Sequence, residues 1–131
     1  MYYGRQAGWI EVISGVMFSG KSEELIRRVR RAIIARQQVQ VFKSHLDARY
    51  AGLYSVSSHD GAELEAIPID RADEILRHLR ADIAMVAIDE VQFLDHGVIE
   101  IITDLAGRGI RVAVAGTDTD FRASRSAPWD I

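Results

Sequence analysis

The string Gly15-Val16-Met17-Phe18-Ser19-Gly20-Lys21-Ser22 constrains the fold of this 131-residue chain more than any other stretch. A loop of the form G-x-x-x-x-G-K-S works only where a strand feeds a helix. Residues 9–13, Trp-Ile-Glu-Val-Ile, form a short β-rich run directly before it, and residues 22–37 carry Leu25, Val29, Ala32 and Ile33 at helical spacing. The stretch therefore predicts strand, loop, helix. In that setting the backbone N–H groups of the turn and the positive end of the helix converge on one small volume, which suits an anion. Gly15 and Gly20 permit the turn, Lys21 can reach the β- and γ-phosphates, and the Ser22 hydroxyl can take a coordination position on Mg²⁺. The ligand implied is the triphosphate of ATP. A purely structural Gly-rich turn is the competing reading, and the flanking strand and helix argue against it.

The rest of the chain alternates between the same two elements. A second strand is predicted over residues 39–43, followed by a polar stretch from 44 to 61 without usable periodicity and a short strand over 63–69. Asp70-Arg71-Ala72-Asp73 looks like a capping sequence, opening a helix that buries Ile75, Leu76 and Leu79 and ends near Ala81. Residues 83–88 are continuously apolar, the pattern of a central parallel strand covered on both faces. A helix over 98–106 follows, with Gly107 and Gly109 as stop signals, and then a buried strand over 111–115 closed by Gly116. Strands alternating with helices predict one α/β domain with a mainly parallel sheet flanked by helices, a P-loop NTPase core. Residues 1–8 lack any period and are expected to be a mobile lead-in, leaving the nucleotide-binding core to begin at residue 9.

Asp89 and Glu90 stand immediately after the apolar strand of residues 83–88, where open α/β sheets place their ligands. A carboxylate at Asp89 can hold the hydration shell of Mg²⁺, so that it touches the metal through water. Glu90, one residue on, must point elsewhere, and a carboxylate beside the nucleotide but off the metal is suited to accept a proton from an attacking hydroxyl or water. The competing reading is an acidic pair ending a strand in solvent. Neither spacing nor charge separates transfer to water from transfer to a bound hydroxyl.

Composition removes several other classes. With 48% hydrophobic residues and a net charge of −3 from interspersed charges, no nucleic-acid surface is indicated. Arg27, Arg28, Arg30 and Arg31 are expected to form a solvated helix face. Cysteine is absent from the sequence, which excludes disulfides and thiolate-bound zinc within these residues. No apolar run is long enough to span a membrane, and a cytoplasmic protein is expected. His45, His59, His78 and His96 lack metal-ligand spacing.

Beyond the phosphate loop, the chain resembles the type II, cytosolic thymidine kinases. The resemblance rests on the Met-Phe-Ser inside the loop, Glu24-Leu25-Ile26-Arg27-Arg28, Asp47-Ala48-Arg49-Tyr50, Ser58-His59-Asp60-Gly61, Ile88-Asp89-Glu90-Val91-Gln92-Phe93 and Asp118-Thr119-Asp120-Phe121-Arg122. It implies a RecA-like core and transfer of the ATP γ-phosphate to the 5′-hydroxyl of thymidine. It further implies that Gly15 to Ser22, with Asp89, Glu90, Val91 and Gln92, hold the nucleotide, that Ser22 and Asp89 serve Mg²⁺, and that Glu90 is the catalytic base. Asp47 and Arg49 match positions near the phosphates. Phe93 and Phe121 match aromatics beside the thymine ring, with ordinary core packing the open alternative for both. Thr117 departs from the apolar residue usual at that position. Relatives assemble as tetramers, so a homo-oligomer is implied. A P-loop ATP-binding module or ATPase without nucleoside kinase activity is the competing function.

The resemblance ends at Arg122. The family's zinc-bearing subdomain with paired cysteines and its long substrate-covering loop have no counterpart in the sequence. Residues 123–131 instead read Ala-Ser-Arg-Ser-Ala-Pro-Trp-Asp-Ile, where relatives read Gly-Glu-Pro-Phe-Gly-Pro-Met. Codons GGC GAG CCG TTC GGC CCC ATG become GCG AGC CGT TCG GCC CCA TGx when the first G is lost, which translates to the observed Ala123 to Pro128. A single-base deletion after the Arg122 codon is therefore expected, checkable by resequencing. With the substrate-covering part missing, weak or no thymidine phosphorylation by these 131 residues alone is the corresponding expectation.

Overall fold

Alternation along the strands decides which side each helix packs on. The computed structural model describes residues 8–14, 21–44, 54–57 and 63–116. Within them β1 (Ile10–Ser14), α1 (Lys21–Ile34), β2 (Val39–Ser44), β3 (Tyr54–Ser57), β4 (Glu63–Ile69), α2 (Asp73–His78), β5 (Met85–Asp89), a 3₁₀ turn (Val91–Phe93), α3 (Gly97–Gly107) and β6 (Arg111–Gly116) follow in chain order. The strands form one six-stranded sheet in the order β1-β6-β5-β2-β4-β3. Strands β1, β6, β5, β2 and β4 run parallel, and β3 joins the edge antiparallel to β4.

Because successive side chains on a strand face opposite ways, the sheet divides its residues between two cores. Met85 and Ala87 of β5, Ala113 and Ala115 of β6, Ile13 and Val41 pack with Leu25, Ile26, Val29 and Ala32 of α1. Val86, Ile88, Val112, Val114 and Phe42 pack on the other side with Ile75 of α2 and Val98, Ile102 and Leu105 of α3. The α1 side is floored largely by alanine, which lets that helix lie close to the sheet. Leu25 and Val29 are fully buried there, each contributing on the order of 1.5–3 kcal/mol.

Two helices are shorter than their periodicity predicts. The helix expected over 70–81 occupies only Asp73–His78, and Leu79 is already extended. Gln40, buried on β2, is the reason: its Nε2 donates to the His78 carbonyl at 2.8 Å and its Oε1 accepts the Arg80 N–H at 2.9 Å. Those two bonds hold the last turn in a non-helical course. Nor does Asp70 cap this helix. Glu74 reaches back instead, accepting the N–H groups of Asp70 and Arg71 at 3.0 and 2.9 Å, while Asp95 accepts the Ala72 N–H at 2.8 Å. Helix α1 ends at Ile34 rather than Gln37 because the Gln37 N–H turns back to the Ala32 carbonyl and Arg36 takes a positive φ of 65°. Strand β3 falls inside the stretch that showed no periodicity, paired by backbone register with β4.

Of the four arginines expected on a solvated face, Arg27, Arg30 and Arg31 are exposed. Arg28 is not spent on solvent: it binds Glu24 at 2.7 Å and, at 2.8 Å, Glu11 of β1. Glu11 also receives the Arg111 guanidinium of β6 and the Trp9 indole N–H. Of the lead-in expected over residues 1–8, only Gly8 is described, and its N–H donates to the Ala106 carbonyl at 2.9 Å. No helix among the described residues is long and apolar enough to cross a membrane.

Candidate active site

Parallel strands bring all their carboxyl ends to one edge of the sheet, and Asp89, with the turn from Glu90 to Phe93 that follows it, falls along that edge. Ser14, the last residue of β1 before the phosphate loop, is level with Gly116 at the end of β6. Ile88 pairs with Val114 on the other side of β6, and Lys43 of β2 pairs with Asp89. The strand that feeds the phosphate loop and the strand that carries the acidic pair are thus separated by β6 alone. Asp89 continues the Met85 and Ala87 alternation, which puts it on the α1 side of the sheet, and Lys43 continues Val41 onto that same side.

Asp89 is 1% exposed, so the reading of a strand end dissolving in solvent does not hold for it. Its Oδ1 accepts the Glu90 N–H at 3.0 Å. A buried carboxylate is costly unless it meets hydrogen-bond donors or a cation.

At Glu90 the chain turns sharply, with φ 58° and ψ 42°. A left-handed conformation at a residue with a side chain costs on the order of 1 kcal/mol and is concentrated at functional sites. The turn continues directly into the 3₁₀ segment, in which the Phe93 N–H donates to the Glu90 carbonyl at 3.1 Å and the Leu94 N–H to Val91 at 3.0 Å. Its consequence is that two adjacent carboxylates diverge. Asp89 stays under α1, while Glu90, half-buried, accepts a hydrogen bond from Gln92 Nε2 at 2.8 Å.

Val91 is buried and anchors this turn in the α2 and α3 core. Phe93 is 42% exposed, so core packing does not account for it. Lys21 and Ser22 open α1 at its N-terminus, where unpaired backbone N–H groups gather. Gly15 to Gly20, Asp47, Arg49, Thr117 and Phe121 lie outside the described residues. Among those described, no three His, Cys, Asp or Glu side chains gather into a metal-binding group.

Two features of the site carry no advance signal in the sequence. One is the left-handed Glu90, since no Gly or Asn marks it. The other is the approach of β6 to the acidic turn, where a Cβ built on Gly116 would lie 2.4 Å from Gln92 Oε1 and 3.0 Å from Val91 Cγ1. A glycine ending an apolar strand was the available hint, although by itself it indicates only a turn. A comparison with protein families gives a match to the one described as Thymidine kinase over residues 8–126.

Proposed function

The chain belongs to the thymidine kinase family, and from that premise we propose that it transfers the γ-phosphate of ATP to the 5′-hydroxyl of thymidine. The observation that carries the proposal is the divergence of Asp89 and Glu90. One carboxylate is buried beside the helix that opens at Lys21, and the next is turned away from it by a left-handed backbone. Phosphoryl transfer needs these two jobs done by separate groups, because a carboxylate engaged with the metal is a poor proton acceptor.

In this reading the backbone N–H groups of residues 15–20 and the N-terminus of α1 bind the β- and γ-phosphates, with Lys21 as a point charge. Asp89 and Ser22 would hold Mg²⁺, which when bound neutralises phosphate charge. One buried carboxylate fits that ion, since magnesium keeps several waters and takes other ligands from the nucleotide rather than from a cluster of acids. Glu90 accepts the proton of the 5′-hydroxyl. Asp47 and Arg49 act near the phosphates, and Phe93 and Phe121 flank the thymine, the exposure of Phe93 favouring that role over packing. The enzyme is taken to act in the cytoplasm as a homo-oligomer, which size-exclusion chromatography at high concentration tests.

The deciding measurement is transfer of label from γ-labelled ATP to thymidine by the full chain and by Glu90→Gln. Loss of a general base lowers the rate by about 10²–10⁴, with ATP binding unchanged in equilibrium dialysis. ATP turnover that proceeds equally well without a nucleoside would sink this reading in favour of an ATPase.

A further inference from the structure

We propose that Gln92 is a positioning residue that holds the Glu90 carboxylate in its proton-accepting orientation, and that Gly116 exists to leave room for it. The inference rests on the reading of Glu90 as the base.

The backbone of Glu90 is fixed from both sides, its N–H by Asp89 Oδ1 and its carbonyl by the Phe93 N–H. Its side chain is not fixed by these contacts. A glutamate side chain turns about several bonds, so a half-buried carboxylate at the edge of the sheet needs a further contact to hold one rotamer. Gln92 Nε2 donates to Glu90 Oε1 at 2.8 Å. A carboxylate can only accept, so the amide nitrogen must face it, and the amide oxygen then faces away. That oxygen points at the end of β6, where it lies 2.4 Å from the position a Cβ would take on Gly116. No side chain of any kind fits there while the Gln92 amide keeps its place. The hydrogen bond occupies Oε1 of the carboxylate and leaves Oε2 to take the proton. A group held in this way is preorganised for the reaction.

Kinetics of the full chain with thymidine and ATP test the proposal through Gln92→Ala, Gln92→Glu, Gly116→Ala and the Gly116→Ala/Gln92→Ala pair. Gln92→Ala is expected to lower kcat about tenfold, the loss of one hydrogen bond to a charged group, with any rise in the KM for ATP, from the nucleotide contact that the family resemblance implies for Gln92, the smaller effect. Gln92→Glu, nearly the same shape, should lose more, because it sets carboxylate against carboxylate; a residue that only filled space would tolerate it. Gly116→Ala should reproduce the Gln92→Ala defect by displacing the amide, and the double variant should be no worse than either single one.

Urea unfolding gives a check that needs no turnover, since Gln92→Ala should recover part of the stability lost in Gly116→Ala. An unchanged kcat in Gln92→Ala, a raised KM for ATP with kcat intact, or additive effects in the pair would each overturn the proposal. If the full chain has no Glu90-dependent transfer at all, the parent reading fails and takes this one with it. Glu90-dependent transfer with a fully active Gln92→Ala removes this inference alone.

Discussion

At the scale of single residues, the polar side chains that matter most are those that satisfy backbone groups or other side chains at the margin of the core. Gln40 is 6% exposed and uses both ends of its amide to stop α2. Gln40→Leu would keep the volume but leave the His78 carbonyl and the Arg80 N–H without those bonds. We expect a loss of about 1–3 kcal/mol in urea unfolding, where a surface glutamine would register almost nothing. Glu90→Gln is the contrasting case: nearly isosteric and half-buried, it should lower the rate of transfer by about 10²–10⁴ while leaving the unfolding midpoint close to the parent. The placement of Asp89 and Glu90 at the carboxyl end of a central strand was legible in the sequence because they follow a continuous apolar run. The left-handed backbone that separates them was not legible, since local preference opposes it and the turn is imposed by Val91 being drawn into the core.

Among elements, the helix ends repay comparison. Helix α3 closes with Ile110 N–H turning back to the Leu105 carbonyl and Gly109 at a φ of 94°; α1 closes the same way but with Arg36 at 65°. Glycine takes that position without strain, whereas arginine does not. Arg36→Gly relieves about 1 kcal/mol of backbone cost and gives up about 0.3 kcal/mol of favourable charge at the helix end. A net gain of about 0.5–1 kcal/mol in urea unfolding is the expected result. Element type was readable along most of the chain because α1, α3, β2, β5 and β6 each carry a sustained period or a continuous apolar run. Strand β3 was not, because it is an edge strand held by its register with β4. The end of α2 was missed for a related reason, since the group that terminates it lies on β2, thirty-eight residues from His78.

For the whole molecule, one carboxylate joins three elements. Glu11 of β1 binds Arg28 of α1 and Arg111 of β6. Burial alone would raise its pKa, but the hydrogen bonds from Arg111, Trp9 and Arg28 and the charge of Arg111 outweigh burial and hold it below the ordinary glutamate value. Asp95 is lowered as well, chiefly by the Ala72 N–H. A carboxylate with a depressed folded pKa stabilises the fold above its unfolded value, and that stabilisation is lost as pH falls through the folded one. Urea midpoints should therefore fall between about pH 5 and about pH 2, and Glu11→Gln, less stable at neutral pH, should show a smaller fall. The succession of strands and helices apart from β3, and the parallel character of the sheet, were determined by the sequence by itself, because each depends on a period or spacing within a few tens of residues. Only the tertiary structure decided that β6 separates the strand of the phosphate loop from that of the acids, that Lys43 lies level with Asp89, and that Gly116 makes the seat of Gln92. Such relations arise where distant strands are laid side by side, and no local pattern encodes a neighbour reached through space.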